Sequence, residues 1–358
     1  MKITNNTSPL CSVIIINYNG KDLLARFLPS IERLDYKNYE VIIVDNASTD
    51  DSKSFVKNNY PHFKLVESPQ NLGTAEGSNI GIPYAKGDYI LWLSNDMEVD
   101  PLLLRRLIET AESSPEIGIC TCKMRRLMPD AKKTDIIDRI GGDVDIFGFP
   151  SARGINEKDR GQLDRVTEVF FSFGGAMLIK QEIIDKIGAY DPTFFTLTDD
   201  IDLCWRARLA GYKVVAQPKA LLYHRVSATI ETFRRSRTRY LSERNTLRAI
   251  LKNYSTFTLI KILPQYFALL IAEMGFMFMI RSPPLVLSGI KAIVWNLINF
   301  RDTWSWHEKN QNFRVISDKD IQKSMHKKPF KIKIFKEYLK TGHSRSWQAF
   351  FRNQVIPP

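Results

Sequence analysis

The amino-acid sequence predicts an α/β protein built on a doubly wound, mostly parallel sheet. Short β-branched apolar runs alternate with amphipathic segments five times within about 125 residues, the pattern of parallel strands joined by crossover helices. Three of these runs end in a polar side chain, where a parallel sheet binds ligands. The chain has 358 residues, 44% of them hydrophobic, which is enough for one large domain and an appendage.

Buried parallel strands are predicted where a short apolar run has no alternation and stops at a turn signal. The first run, CSVIIIN, is the clearest, and YILWLS is the fourth. Helical periodicity or a helix-start signal follows most of the runs, and Pro101 begins one helix at its most tolerant position. We predict strands at Cys11–Asn17, 41–45, 63–67, Tyr89–Ser94 and 117–123, with helices at 21–33, 75–85 and 101–113.

The chain is harder to interpret after this alternation. Residues 124–166 are polar and contain glycine, and they predict no regular element. Beyond them, helices are predicted at Gln181–Ile187 and 200–210. Two short strands are predicted at 213–217 and 220–224.

Two aspartates and one histidine stand at the ends of predicted strands. Asp45 closes the second strand, Asp96 closes the fourth, and His224 closes the last. Carboxylate and imidazole groups are suitable ligands for Mn²⁺ or Mg²⁺ beside a diphosphate. Taken singly, each residue has a plainer interpretation, since a strand-end aspartate is usually a turn residue. Their joint placement favours a phosphate-binding enzyme.

Asp199 and Asp200 precede a predicted helix. A carboxylate that binds no metal could accept a proton from an attacking hydroxyl group. The alternative is that the pair only caps the helix, because carboxylates are favoured at helix N-termini.

A series of sequence blocks resembles the family-2 glycosyltransferases, which have the GT-A nucleotide-diphospho-sugar transferase fold. Any one block would be weak support, but all of them occur in the family's order over about residues 10–225. The blocks are 13–20 (VIIINYNG), 41–50 (VIIVDNASTD), 71–82 (NLGTAEGSNIGI), 87–96 (GDYILWLSND), 174–179 (GGAMLI), 188–195 (GAYDPTFF), 199–206 (DDIDLCWR), 210–212 and His224.

The resemblance implies an inverting transferase that takes a sugar from a UDP- or dTDP-linked donor. It implies that Mn²⁺ or Mg²⁺ binds to Asp96 and His224, that Asp200 is the general base and that Asp199 is its acidic neighbour. One position departs from the family, since Ser94 stands where the metal-binding Asp-x-Asp motif has its first acid. The donor-binding residues implied by the resemblance are Asn17, Asn19, Asp45, Asn71, Gly73, Asn79, Ser94 and Asn95.

Other classes of protein are also considered. A dinucleotide-binding oxidoreductase is disfavoured because the chain lacks the G-x-G-x-x-G fingerprint. A nucleotidyltransferase should lack the Asp-Asp-x-Asp helix start. A catalytically degenerate GT-A protein acting as a scaffold stays open, and so does a basic nucleic-acid-binding protein, although we expect no nucleic acid as a partner.

The positive charge is concentrated in the last part of the chain. Residues 1–220 hold 27 Lys and Arg against 31 Asp and Glu, a net charge of −4. Residues 221–358 hold 24 against 8, a net charge of +16. Such an appendage suggests an anionic partner such as lipid headgroups. We therefore divide the chain into a catalytic domain (1–230), a helical membrane-associating region (231–310) and a basic tail (311–358).

Two apolar runs, 266–280 and 285–300, follow a basic segment and are joined by a Pro-Pro bend. The first falls short of the about 20 apolar residues that span a bilayer, and Pro264 and Gln265 are expected to cap its start. The runs favour an interfacial or re-entrant anchor that binds an anionic membrane surface through residues 234–300. A helical hairpin buried against the catalytic domain is the alternative.

The tail is similar to tails of rhamnosyltransferase-like members of the family. This similarity implies a polyprenyl-linked saccharide acceptor in cell-surface polysaccharide assembly, at the cytoplasmic side of the membrane. Residues 1–10 are polar and lack the apolar core of a signal peptide, so we do not expect secretion. The four cysteines, Cys11, Cys120, Cys122 and Cys204, are expected to be reduced core thiols.

Overall fold

The computed structural model describes residues 8–128, 130–225 and 235–341 and shows a mixed α/β fold followed by a helical bundle. Its strands are β1 (Cys11–Asn17), β2 (Tyr39–Asp45), β3 (Lys64–Glu67), β4 (Tyr89–Ser94), β5 (Met97–Val99), β6 (Ile117–Leu127), β7 (Lys133–Arg139), β8 (Gly142–Val144), β9 (Pro150–Ala152), β10 (Thr167–Glu168), β11 (Ala176–Lys180) and β12 (Lys213–His224). Its α-helices are α1 (Lys21–Glu32), α2 (Ser52–Asn59), α3 (Gly73–Asn79), α4 (Leu103–Glu112), α5 (Gln181–Ile187), α6 (Asp199–Leu209), α7 (Arg235–Asn253), α8 (Thr256–Met279), α9 (Pro283–Ile298), α10 (Phe300–Phe313), α11 (Asp318–Ile321) and α12 (Phe330–Thr341).

One large sheet forms the centre of the fold, with the strand order β10-β12-β6-β11-β4-β1-β2-β3. The neighbours β4, β1, β2 and β3 are parallel, which confirms the predicted parallel α/β sheet. Strand β11 enters antiparallel between β4 and β6. The direction of a strand depends on tertiary pairing, so an apolar sequence alone does not reveal it.

Alternate residues of β1 face two different cores, as the two-residue period of a strand requires. Val13 and Ile15 pack in the layer that holds α1 and α4. Ile14 packs in the opposite layer, which includes residues of α6 and α7. The four cysteines are buried and free of disulfides, as predicted.

Three segments differ from their prediction. The helix expected over 75–85 stops at Asn79, and a 3-10 turn at Ile82–Tyr84 follows, since Pro83 lacks the N–H that would continue the helix. The two strands expected at 213–217 and 220–224 form one strand, β12, with a register shift between Gln217 and Leu221. The unassigned segment 124–166 contains the end of β6 together with β7, β8 and β9.

The C-terminal bundle buries charged side chains and exposes apolar ones. Its central helix α7 is rich in charged side chains, yet nearly every residue from 241 to 253 is buried. The surrounding helices α8 and α9 expose large apolar side chains instead, including Ile271, Phe278 and Leu297, which are 61%, 75% and 69% exposed. Paired charges therefore lie inside the bundle, and large apolar side chains lie on its outer surface.

Three arginines of the basic segment lie inside the protein and so do not face an anionic surface. Arg239, Arg244 and Arg248 are buried, and Arg239 and Arg248 pair with acidic residues of the chain itself. A buried guanidinium group must be paired, because desolvating a charge is expensive. Arg234, counted in the same basic segment, lies outside the described residues, as do residues 226–234 at the predicted boundary near 230.

Helix α8 is longer than the apolar run that predicted it. It begins at Thr256, so Pro264 and Gln265 lie inside the helix rather than capping it, and Leu259 and Ile262 pack the earlier turns against the core. Within the described residues, α8 is the single helix that alone has the length and composition to cross a membrane. Helices α9 and α10 would qualify only as one span bent by 69°.

Candidate active site

A cavity of about 690 Å³ lies at the carboxyl ends of the parallel strands. It brings together three groups that are distant in sequence: the strand-end turn after β4, the end of β12 and the start of α6. Helix α7 also lines it through Arg237 and Ser242. Of the predicted site residues, those that line the cavity are Asn19, Asn71, Gly73, Ser94, Asn95, Asp96, Asp199, Asp200 and His224.

Asn17 and Asp45 lie beneath the cavity wall rather than in it. They are partners in the β1–β2 register and are both buried. Asn17 donates from Nδ2 to Asp45 Oδ2 at 3.3 Å and accepts from Asn95 Nδ2 at 2.7 Å. Asp45 Oδ1 accepts from the backbone N–H of Ser48 at 2.8 Å. The network joins the ends of β1, β2 and β4 into one rigid rim.

The loop before α3 is held by a residue that the sequence analysis missed. The buried side chain of Asn46 accepts from the Leu72 N–H at 3.0 Å and donates to the Gly73 carbonyl at 3.0 Å. Asn71 Oδ1 accepts from the Gly73 N–H at 2.9 Å. Gly73 has φ +76°, and a Cβ there would lie 2.1 Å from the Phe195 carbonyl oxygen, so only glycine fits.

Asn79, predicted to pack over a donor, does not line the cavity. Its amide forms two hydrogen bonds with the backbone of Tyr190, donating to the carbonyl at 2.9 Å and accepting from the N–H at 3.1 Å. Asn79 therefore joins α3 to the chain that leads into α6.

Asp96 and His224 face each other across the cavity floor, as strands β5 and β12 pair beside them. His224 Nε2 lies 3.4 Å from Asp96 Oδ2, and His224 Nδ1 lies 3.0 Å from Asp138 Oδ2. Burial lowers the pKa of His224, but the two carboxylates outweigh burial and raise it to about 9. Nδ1 is thus held by Asp138, and Nε2 is the nitrogen that faces the cavity side.

Asp138 is another site residue that the sequence analysis missed. It is fully buried on β7, and Arg139 Nε donates to its Oδ2 atom at 2.7 Å. Burial opposes ionisation, but Arg139 and His224 hold the pKa of Asp138 well below its usual range. No sequence pattern marked Asp138 as a site residue, because it lies in the polar segment 124–166. A fixed anion behind an imidazole is the usual support of a metal-binding histidine.

The site fits a divalent cation with two side-chain ligands. The Oδ1 atom of Asp96 is buried and has no hydrogen-bond partner among the described residues, so this oxygen is open to a cation or a further donor. His224 Nε2 could bind the same ion after losing its proton. Among the described residues, no three His, Cys, Asp or Glu side chains form a metal cage. Ser94, solvent and phosphate oxygens could supply further ligands.

Asp199 and Asp200 begin α6 and point into the same cavity. Asp199 Oδ2 accepts from Thr74 Oγ1 at 3.0 Å. Asp200 Oδ2 accepts from the Gly174 N–H at 3.1 Å, and its Oδ1 accepts from the Ile201 N–H at 2.8 Å. Burial and the adjacent Asp199 raise the pKa of Asp200 to about 7, and burial also raises the pKa of Asp199. Such a carboxylate is suited to accepting a proton near neutral pH.

The sheet, with one acidic group at a strand end and another at a facing helix start, defines the GT-A class of fold. Residues 12–188 match the family model described as glycosyl transferase family 2. Residues 12–188, just under half of the chain, therefore resemble glycosyltransferase family 2 in sequence. Asp199, Asp200 and His224 lie beyond the matched residues, so their roles depend on the geometry described above.

Curated relatives include two synthases of poly-β-1,6-N-acetyl-D-glucosamine. The one from Staphylococcus epidermidis is 26% identical over 235 residues, which is 64% of this chain and 53% of that protein. The one from Staphylococcus aureus (strain MSSA476) is 26% identical over 230 residues, which is 62% of this chain and 52% of that protein. The alignments thus span about half the length of these relatives.

Two solved structures share the fold. The first is GalNAc-T7 with UDP, GalNAc and Mn²⁺, with a TM-score of 0.56 and 17% identity over 69% of this chain and 48% of that chain. The second is the mannosyltransferase PcManGT from Pyrobaculum calidifontis with GDP-Man and Mn²⁺, with a TM-score of 0.51 and 17% identity over 86% of each chain.

Proposed function

We propose that this protein is an inverting glycosyltransferase that moves a sugar from a nucleoside-diphosphate sugar, UDP- or dTDP-linked, to a hydroxyl group of an acceptor. The observation that carries the proposal is the shared cavity. Asp96 and His224 form one side and Asp200 another, so a cation site and a general base face the same space. Relatives that make a polysaccharide, and fold neighbours solved with a nucleotide and Mn²⁺, support it.

The proposed reaction is a single displacement. The Asp200 carboxylate accepts the proton of the acceptor hydroxyl group, and the oxygen attacks the anomeric carbon opposite the nucleotide. The bond between that carbon and the diphosphate oxygen breaks, and the nucleoside diphosphate leaves with the electron pair. Asp199, fixed by Thr74, lies beside the base. A divalent cation on Asp96 and His224 would neutralise charge on the leaving diphosphate.

Thermal unfolding of the full chain with UDP, dTDP, GDP or CDP, each with and without Mn²⁺, tests the donor site. A ligand at 100 times its Kd should add about 2.7 kcal/mol of stability to the folded state. We expect a Mn²⁺-dependent increase in Tm with UDP or dTDP, followed by sugar transfer from the matching donors. Folded protein that responds to none of the four would contradict the proposal and favour the degenerate scaffold.

We further propose that the protein acts at the cytoplasmic face of a membrane on a polyprenyl-linked saccharide, in the manner of the rhamnosyltransferase-like branch. The exposed apolar surface of α8 and α9 supports a membrane-bound position, since patches of this kind usually mark interaction surfaces. Exposed cations lie among the apolar side chains, as in interfacial helices. These cations are Lys261, Arg281, Lys291 and Arg301.

The inner face of α8 favours a helix lying in the interface over one that spans the bilayer. Glu273 on this face pairs with Arg239 at 2.7 Å and with Lys331 at 2.7 Å, all three being buried. A spanning α8 would carry this charged cluster into the hydrocarbon. Helix α9 also contacts the part of α7 that borders the cavity, because Ser288 Oγ donates to the carbonyl of Ser236 at 2.8 Å and the next residue, Arg237, lines the cavity. A lipid-linked acceptor could thus enter from the membrane.

Vesicle flotation tests the membrane proposal with the full chain. We expect binding to phosphatidylcholine vesicles that contain phosphatidylglycerol and loss of binding in the double variant Phe278→Glu, Leu297→Glu. The control is Val315→Glu, which adds a charge at a comparably exposed apolar position, 67% exposed, just beyond α10. Equal flotation of the double variant and the control would contradict the surface assignment.

A further inference from the structure

The loop that leads into α6 has an unusual backbone. Phe195, Leu197 and Thr198 have φ values of +62°, +70° and +67°, in the left-handed region that non-glycine residues seldom occupy. All three line the cavity, and Thr198 is the residue directly before Asp199 and Asp200. Backbone of this kind persists only where surrounding structure holds it in place.

One buried side chain from α7 contacts most of this loop. Asn245 is fully buried, and its Nδ2 atom lies 3.0 Å from the carbonyl oxygen of Phe194, 2.9 Å from that of Thr196 and 2.7 Å from that of Leu197. These carbonyl groups converge because the loop turns around the amide. Nδ2 carries two hydrogens, which can serve the carbonyls of Thr196 and Leu197. The Phe194 carbonyl also accepts from the Thr196 N–H at 2.7 Å and from Arg244.

Two arginines of α7 near Asn245 bind the same segment of chain. Arg244 donates from Nη2 to the carbonyls of Thr193 and Phe194, at 2.7 and 2.9 Å, and from Nε to Asn245 Oδ1 at 2.8 Å. One turn further, Arg248 pairs with the buried Asp191 at 2.8 Å. The register of α7 against the loop is thus set on both sides of Asn245.

The same loop contacts the start of α3 and the start of α6, which both line the cavity. The Phe195 carbonyl accepts from the backbone N–H groups of Thr74 and Ala75 at the start of α3, at 2.6 and 3.2 Å. Thr74 in turn donates from Oγ1 to Asp199. The Thr198 carbonyl accepts the Asp202 N–H at 2.9 Å, which starts α6. Displacing the loop would therefore move the acidic pair and the turn after Asn71 together.

We propose that Asn245 is a positioning residue for the transfer reaction: by holding the loop 194–198 in its left-handed conformation, it places Asp199 and Asp200 against the cavity. The inference depends on the proposed function for its catalytic meaning. It assigns a role at the active site to a helix that lies beyond the family-2 match at residues 12–188.

The test compares Asn245→Ala with Asn310→Ala in the full chain. Asn310 is a matched control, because it is equally buried and donates to the Lys252 carbonyl of the same helix at 3.2 Å and to Asn253 Oδ1 at 3.0 Å, whereas its hydrogen bonds do not involve residues 194–198. Amide hydrogen exchange over residues 74–75 and 194–198 measures the loop. Steady-state transfer and Mn²⁺-dependent binding of UDP or dTDP, whichever binds the wild type, measure the site.

We expect Asn245→Ala to exchange faster at these amides and to lose about 10²-fold in kcat. Nucleotide affinity should fall by much less than kcat, because the turn after Asn71 moves while Asp96 and His224 keep their contacts. Asn310→Ala should match the wild type in all three measurements. Equal exchange and equal kcat in the two variants would overturn the proposal.

A second variant guards against misfolding of the first. Asn245→Ser keeps one hydroxyl donor, so it should fall between wild type and Asn245→Ala in amide exchange. Exchange no faster than that of Asn310→Ser would again overturn the proposal. If the wild type transfers no sugar from any donor, the proposed function fails, whereas hydrogen exchange still decides whether Asn245 holds the loop.

Discussion

The Nδ1 atom of His224 lies 3.0 Å from the Oδ2 atom of Asp138, a fully buried carboxylate on the neighbouring part of the sheet. This contact fixes the imidazole ring so that Nε2 faces Asp96. It also joins residues 86 positions apart in the chain. The relationship gives a direct test of the cation site.

Replacing Asp138 by asparagine should weaken cation binding without removing a ligand. The neutral amide no longer stabilises the ring as the carboxylate does, and loss of such a supporting contact typically costs about 10–100-fold in metal affinity. Titrating Mn²⁺ against the nucleotide-dependent change in Tm measures the effect. Asp143→Asn is the control, because Asp143 pairs with Arg153 and does not line the cavity. Unchanged Mn²⁺ affinity in Asp138→Asn would show that His224 is not the ligand.

Asp200→Asn should separate binding from chemistry. An amide at this position can still accept the Gly174 N–H, but it cannot accept a proton from the acceptor. We expect kcat to fall by about 10²–10⁴-fold while Mn²⁺-dependent nucleotide binding stays. The exposed Asp185→Asn on α5 should keep full turnover. An Asp200→Asn enzyme that retained more than about a tenth of wild-type turnover would exclude Asp200 as the base.

The rate should depend on pH through the same carboxylate. Burial and Asp199 raise the pKa of Asp200 to about 7, and a general base acts only when ionised. The rate constant kcat/KM should therefore rise as pH increases through about 7 and fall below it. Asp199→Asn removes the neighbouring charge, so the rise of kcat/KM should occur at lower pH. A rise at the same pH in both enzymes would assign the titration to another group.

Lys252 should be essential for stability although it does not line the cavity. Its Nζ atom is buried and lies 2.7 Å from Asp191 Oδ2 and 2.8 Å from Asp202 Oδ2. Lys252→Met would leave these carboxylates partly unpaired and should lower the free energy of unfolding by about 3–5 kcal/mol.

Urea denaturation measures this loss, with Lys57→Met as the control. Lys57 forms an exposed pair with Glu67 at 2.8 Å, and such pairs contribute only about 0–1 kcal/mol. Equal losses in the two variants would mean that the buried network does not join α7 to α6 and to the segment at Asp191. A chain cut near residue 230 would leave Asp191 and Asp202 buried without Lys252. Such a shortened chain is therefore a poor test of membrane binding.

Much of the catalytic half was predictable from sequence because its signals are local. Parallel strands buried on both faces need continuous apolar runs, so Cys11–Asn17 and Tyr89–Ser94 were predicted with their observed bounds. The polar residues that stop those runs marked the carboxyl edge of the sheet. Ordered family blocks then directed attention to Asp96, Asp199, Asp200 and His224, and the structure places all four at one cavity.

The residues that were missed act through contacts distant in sequence. Asp138 lies in a polar segment with no clear period, and its importance appears only where β7 brings it behind His224. Asn46 follows a predicted strand end, yet its role depends on the loop at Asn71 folding onto it. Neither residue had a local pattern that distinguishes a buried partner from a surface polar group.

The sequence by itself determined the parallel α/β sheet, the resemblance to family 2 and the acidic residues at the ends of strands and the start of a helix. Each of these depends on the order and spacing of nearby residues. Only the tertiary structure decided what the basic, apolar tail does. A charged helix looks like a surface element in sequence, but α7 is buried because Asp191, Asp202 and Glu273 supply its counter-charges. Pairing of that kind depends on residues about 35 to 60 positions away, which no local pattern records.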